Sequence, residues 1–274
     1  MTREMIIKEL VNRGYAAEAT NTVKNGVEYE GILIRTQNGI APVIYTEGLI
    51  AHAKEKNLTL NDVMETVIQI YNKEGGVALD VKIFEDRNYI LKNLSIRIQK
   101  KSNENLVKRP CMLEGIESFL CIQVNIRNKG DGSVKVSEDL LQRVNITEEE
   151  AWKVAEENFC KETVLIPMKE ILAELMKCSC DDLTDMDMPL YVITNKSRVN
   201  GASAIINHEV LAELGRKCDT DKIVVLPSSI HEMILLPYTD DVDIDMFTEM
   251  VKEVNETQVA PAERLTDRAY IITI

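Results

Sequence analysis

The sequence predicts an α+β protein, with mixed and largely antiparallel sheets flanked by helices and the chain divided into two subdomains. Three observations predict it. Strand-like runs come in pairs joined by turn residues, as around Asn25-Gly26 and around Asn128-Lys129-Gly130-Asp131-Gly132. Helical periodicities fall between groups of strands rather than after each single strand, which argues against a regular doubly wound sheet. The polar stretch 102–110 interrupts both patterns and offers a boundary, giving expected subdomains of residues 1–103 and 104–274.

Taken in order, Ile6, Ile7, Leu10 and Val11 have helical spacing, and Gly14 ends that helix. Residues 19–24 and 29–35 read as strands around Asn25-Gly26, a two-residue hairpin signal. A third strand at 43–45 runs into a helix over 47–56. Thr59-x-x-Asp62 has capping spacing before a helix whose buried stripe is Val63, Val67, Ile70 and Tyr71, stopped by Gly75-Gly76. A strand at 79–84 and a helix with Ile90, Leu91, Leu94 and Ile98 on one face complete the first half. Beyond the boundary, strands at 119–126 and 133–136 precede helices over 147–160 and 168–176. An acidic connector over 178–188 follows. The last third reads as strands at 190–194 and 202–206, a helix over 209–217, strands at 223–226 and 233–236, a helix over 244–254 and a final strand at 269–273.

Composition narrows the function classes. Of 274 residues 45% are hydrophobic and 28% charged, which suits a folded chain with an aliphatic core. The net charge of -13 opposes non-specific contact with a phosphate backbone, so nucleic acid is not the expected partner. One basic concentration, from Arg87 through Arg97 and Lys101 to Arg109, is read as a solvated face. No apolar run reaches the roughly 20 residues of a membrane helix, and the first ten residues carry acids where a secretory leader would be apolar. Six scattered cysteines in a chain of this size suit reduced thiols. The expectation is a cytoplasmic protein without a membrane partner.

Several constellations invite chemistry. Ser228, Ser229, His231 and Glu232 gather a hydroxyl, an imidazole and a carboxylate, but a hydrolase needs them converging in space, and no Gly-x-Ser-x-Gly elbow is present. The simpler reading is a turn after Pro227 whose serines satisfy loose amides, with Ser229-x-x-Glu232 at capping-box spacing. Cys178-Ser179-Cys180 beside Asp181, Asp182, Asp185 and Asp187 lacks the paired spacing of a zinc site. Asp241-x-Asp243-x-Asp245 copies the start of a calcium loop, then places Met246 where Gly belongs and Lys252 where Glu belongs. Those acids are read as decorating a helix start. With no phosphate loop or dinucleotide fingerprint, neither a cofactor nor a metal is expected.

Asn195-Lys196-Ser197-Arg198-Val199-Asn200-Gly201-Ala202 and the run Leu226-Pro227-Ser228-Ser229-Ile230-His231-Glu232 resemble an uncharacterised bacterial family, the domain of unknown function 5688. The resemblance extends to Val254-Asn255-Glu256-Thr257-Gln258-Val259-Ala260-Pro261, and in the first half to Asn25-Gly26-Val27, Gly31-Ile32 and Pro42-x-Ile44-Tyr45. It implies no activity, cofactor or catalytic residue. The reading adopted is a non-catalytic accessory protein that binds a protein or peptide partner. Its expected recognition surface holds Asn195, Arg198, Asn200, Ser228, Ser229, His231, Glu232, Asn255 and Gln258, polar groups at strand ends and turns. The alternative is a hydrolase using Ser228 or Ser229 with His231.

Overall fold

A computed structural model describes the chain except for residues 37–40, 75–80, 127–129 and 184–188. The Gly75-Gly76 stop, Asn128-Lys129, and Asp185 and Asp187 therefore lie outside the described residues. The chain forms two compact units, Met1–Glu85 with Asn125–Gly132, and Asp86–Val124 with Ser133–Ile274. The architecture of the described residues is α+β, with antiparallel strand pairing dominating three sheets.

In the first unit helix α1 (Arg3–Asn12) starts where the Thr2 hydroxyl accepts the Met5 N–H. Strands β1 (Ala17–Lys24) and β2 (Val27–Ile34) pair antiparallel from Ala17↔Ile34 to Lys24↔Val27. Their link is Asn25 (φ 49°) and Gly26 (φ 79°), both left-handed, a backbone that this residue pair accepts more readily than others. Strand β3 (Val43–Tyr45) joins the other edge of β2 and leads into α2 (Thr46–Glu55). Helix α3 (Leu60–Glu74) begins with the expected cap: Thr59 Oγ1 accepts the Asp62 N–H, and the Asp62 carboxylate accepts the Thr59 N–H at 2.7 Å. Ile6, Leu10, Ile32, Ile34, Val63, Met64 and Val67 fill the core between these elements. Residues 81–85 form a 3-10 turn where a strand was expected.

In the second unit, helix α4 (Arg87–Asn93) is followed without a break by strand β4 (Leu94–Lys100). This corrects the single helix read through Ile98. Ile90, Leu94 and Ile98 fit a helical repeat, but Leu94, Ile96 and Ile98 fit a strand equally well, and β-branched residues facing a partner strand decide for the sheet. That partner is β6 (Ile116–Ile126), which takes β4 on one side and β5 (Lys108–Pro110) on the other, with β7 (Gly130–Lys135) also paired to it. Helices α5 (Glu138–Arg143) and α6 (Glu148–Cys160) are capped by Ser137 and Thr147.

Strand β8 (Thr163–Pro167), which the sequence reading passed over, enters α7 (Met168–Met176) directly. It is the edge of a five-stranded antiparallel sheet ordered β12-β10-β11-β9-β8, and an edge tolerates Pro167. The other strands are β9 (Tyr191–Asn195), β10 (Lys222–Leu226), β11 (Met233–Pro237) and β12 (Tyr270–Thr273). Helices α8 (His208–Cys218) and α9 (Ile244–Gln258) lie between them in sequence. Residues 202–206, expected as a strand, form a buried 3-10 turn. The apolar run signalled burial, and Ala202, Ser203 and Ala204 are small enough to curl. Among the described residues no helix is long and apolar enough to cross a membrane.

A polar network sits within the four-stranded sheet. Gln99 Nε2 donates to Glu117 at 2.9 Å, Ser102 Oγ to Glu117 at 2.8 Å, and Lys108 Nζ pairs with Glu117 at 3.2 Å. Lys135 Nζ lies 2.7 Å from Glu104. Burial alone would raise the Glu117 pKa, but donors from Gln99, Ser102 and Lys108 together outweigh it and hold it below 4.5. A depressed carboxyl contributes stability above its ordinary value and loses it as pH falls through the folded-state pKa. Glu117→Gln is therefore expected to lower stability by about 1–3 kcal/mol at neutral pH and to flatten the acid limb below pH 4.5. Urea titrations at a series of pH values check this; parallel acid limbs for both proteins would refute it.

The carboxy-terminal strand matches its sequence pattern, with Tyr270 and Ile272 buried and Ile271 and Thr273 exposed. The Tyr270 hydroxyl lies 2.8 Å from the Glu114 carbonyl. Removing residues 269–274 is expected to cost several kcal/mol, at roughly 1.5–3 kcal/mol per buried side chain, and to make the protein aggregate. Slow amide exchange across Tyr270–Thr273 is the direct check, and fast exchange there would mark a tail.

Candidate functional site

Two loops leave neighbouring strands at one place: residues 196–201 after β9, and 227–232 between β10 and β11. The Asn195 side chain closes the first loop. Its Oδ1 accepts the Val199 N–H at 3.2 Å and the Ser197 hydroxyl at 3.0 Å, while its Nδ2 donates to the Val199 carbonyl at 2.9 Å. Arg198 (φ 55°) and Asn200 (φ 52°) take left-handed backbone, which Asn accepts more readily than Arg.

The second loop is tied across to the first. The His231 carbonyl accepts the Thr194 hydroxyl at 2.8 Å and the Gly201 N–H at 3.0 Å. Its Nδ1 accepts the Asn200 N–H at 3.1 Å. An imidazole that accepts at Nδ1 carries its proton on Nε2, and Nε2 lies 3.4 Å from the Glu263 carboxylate. Glu263 also accepts the Ile230 N–H at its carbonyl, 2.9 Å away. A Cβ on residue 201 would stand 2.3 Å from Thr194 Oγ1 and 2.5 Å from the Asn195 nitrogen, so only glycine allows this approach.

Ser229 is buried, and its Oγ accepts the His231 backbone N–H at 3.0 Å. Its own N–H donates to the Glu232 carbonyl, so the segment closes as a tight loop without the helical turn that the capping-box spacing suggested. Nucleophilic catalysis needs the serine hydroxyl on a base and the base on an orienting group. Here a carboxylate lies 3.4 Å from the ring, but among the described residues no hydrogen bond joins either serine hydroxyl to the ring.

The structure thus brings Asn195, Arg198, Asn200, Ser229, His231 and Glu232 into one linked platform, with Ser228 half-buried beside them. Gln258 is exposed at the end of α9, five residues before Glu263. Asn255 lies elsewhere, buried, with Nδ2 donating to the Thr266 carbonyl at 2.8 Å and to the Asp267 carboxylate at 2.7 Å. Sequence reading missed Glu263, because nothing local marks a carboxylate that pairs with a histidine 32 residues away. Asp243, part of the calcium-like spacing, caps α9 by accepting the Asp245 and Met246 N–H groups at 3.1 Å. Ser179 caps the turn Cys180–Asp182 in the same manner.

A cleft of about 360 Å³ was also invisible in the sequence, since separate segments supply Ile96, Arg109, Trp152, Cys160 and Ile206. The Arg109 guanidinium covers Trp152, 4.5 Å from the ring centre. Burial, with Glu209 and Glu156 nearby, pushes the Cys160 thiol up, away from thiolate reactivity.

These features define a class: an α+β protein carrying a backbone-tied polar loop platform on an antiparallel sheet. The chain belongs to the family of unknown function DUF5688, which it matches over residues 3–272. No curated protein and no solved structure matches it.

Gly201→Ala is expected to destabilise the protein by about 1–3 kcal/mol, the usual cost of overpacking. It should also release the Asn200–His231 contact, seen as a shifted His231 ring resonance. An unchanged melting temperature would show that the loops have room to spare.

Proposed function

We propose that the protein is a non-catalytic recognition protein that binds a protein or peptide partner through its second unit. The observation that carries this is the commitment of Ser229 and His231 to holding backbone, which makes the loop pair a rigid presenter of polar groups instead of a reaction centre. Preorganised loops lose little entropy on binding, which favours recognition. The Arg198–Glu174 pair, 3.0 Å apart with side chains 47% and 64% exposed, contributes little to stability and lets Arg198 exchange Glu174 for an acidic group of a partner.

Four cations of the basic stretch have local partners, which lowers its appeal to a phosphate backbone. Arg87 pairs with Glu150, Arg97 donates to Ser133, Lys108 pairs with Glu117 and Arg109 covers Trp152.

The test has two arms. A fluorophosphonate probe is expected to leave the protein unlabelled; labelling that vanishes with Ser229→Ala would establish the hydrolase instead. Panning a displayed peptide library on the folded protein is expected to yield binders that weaken at least about tenfold (1.4 kcal/mol) with Arg198→Glu. Failure to enrich any peptide would count against recognition.

A further inference from the structure

Helix α9 carries an exposed apolar ridge. Met246, Met250 and Val254 follow one another at i, i+4 spacing and are 53%, 46% and 39% exposed. At 3.6 residues per turn they span an arc of about 80°. Phe247, Val251 and Ile244, further round the helix, face the core with Val224, Leu226 and Leu236. Directly beside the ridge on its other side run Asp245, Glu249, Glu253 and Glu256. From residue 240 to 258 the chain holds seven acids against one lysine.

We propose that this ridge is the docking face for a basic amphipathic helix of a partner, with apolar residues against the methionines and Lys or Arg along the acidic edge. The proposal rests on the recognition reading above and names the partner's chemistry. An i, i+4 ridge is the element that fits the groove of a second helix. Methionine is unbranched and polarisable, and it repacks against varied apolar partners. The acidic edge supplies charge complementarity, which orients the partner and rejects acidic helices. It also disfavours a second copy of this chain, because two α9 ridges packed together would bring their own acid rows close. Gln258 continues the ridge by one more turn, and Glu263 follows it on the way to His231, so the docking face runs in sequence toward the loop platform.

The test uses the full chain and a labelled 18-residue helix of Leu and Lys, with a Leu/Glu counterpart as control, followed by fluorescence anisotropy. The Lys peptide is expected to bind and the Glu peptide to fail. Met246→Gln with Met250→Gln should weaken binding at least about tenfold, and Glu249→Lys with Glu253→Lys should do the same. These positions are exposed and the new residues are good helix formers, so melting temperatures should hold. Binding untouched by the Met→Gln pair would mean charge alone is at work and would overturn the proposal. A wild-type dimer in sedimentation that Met250→Gln dissociates would overturn it too, by giving the ridge to a second copy. Library peptides that depend on Arg198 but ignore the α9 variants would remove this inference and leave the recognition reading standing, whereas serine labelling would remove that reading itself.

Discussion

The absence of a side chain at position 201 is the constraint on which the platform depends. Gly201 lets its own N–H and the Thr194 hydroxyl reach one carbonyl oxygen, that of His231. With the carbonyl fixed, the imidazole is placed to accept from Asn200, and its Nε2 lies 3.4 Å from the Glu263 carboxylate. The contacts from Thr194, Gly201 and Asn200 are ordinary hydrogen bonds of about 1 kcal/mol net each. Their combination matters more than their sum, because left-handed backbone at Arg198 and Asn200 persists only where surrounding contacts over-determine it.

The second unit solves a different problem at Glu117. A carboxylate this buried is costly unless donors meet it, and Gln99, Ser102 and Lys108 all do. These partners come from β4, the segment after it and β5, so one charged group fixes how three pieces of chain meet on β6. This one polar cluster sits in a sheet whose interior is otherwise largely aliphatic, in keeping with an aromatic content of only 5%.

Sequence reading reached the α+β class, the Asn25-Gly26 hairpin, the Thr59 cap and the alternation of Tyr270 and Ile272, because each is written in neighbouring residues. It failed where one pattern served two structures. Leu94 to Ile98 carries both periods, and the buried turn at 202–206 carries only the mark of burial. At the platform, residue types and turn positions were legible for Asn195, Asn200 and the Ser229–His231 segment. The ties between them were not, since the Asn200–His231 and His231–Glu263 contacts join segments about thirty residues apart. Asn255 showed the same limit from the other side: its polarity suggested a surface, yet it is spent inside, anchoring α9 to residues 266 and 267.

Charge connects these observations. A net charge of -13 keeps a chain soluble and repels other polyanions, but it is not spread evenly. Four cations of the 87–109 stretch meet a local acid, a hydroxyl or an aromatic ring. Among the described residues the acids along α9 have one ion pair, Lys252 3.9 Å from Glu249, and Lys252 is the sole cation between residues 240 and 258. A helix that leaves three apolar side chains uncovered ordinarily risks aggregation. Placing a row of carboxylates beside them discourages pairing between copies while leaving the face open to a cationic one. In the docking proposed for α9, the repulsion that keeps copies apart is the same one that selects a cationic helix, so one row of acids carries both effects.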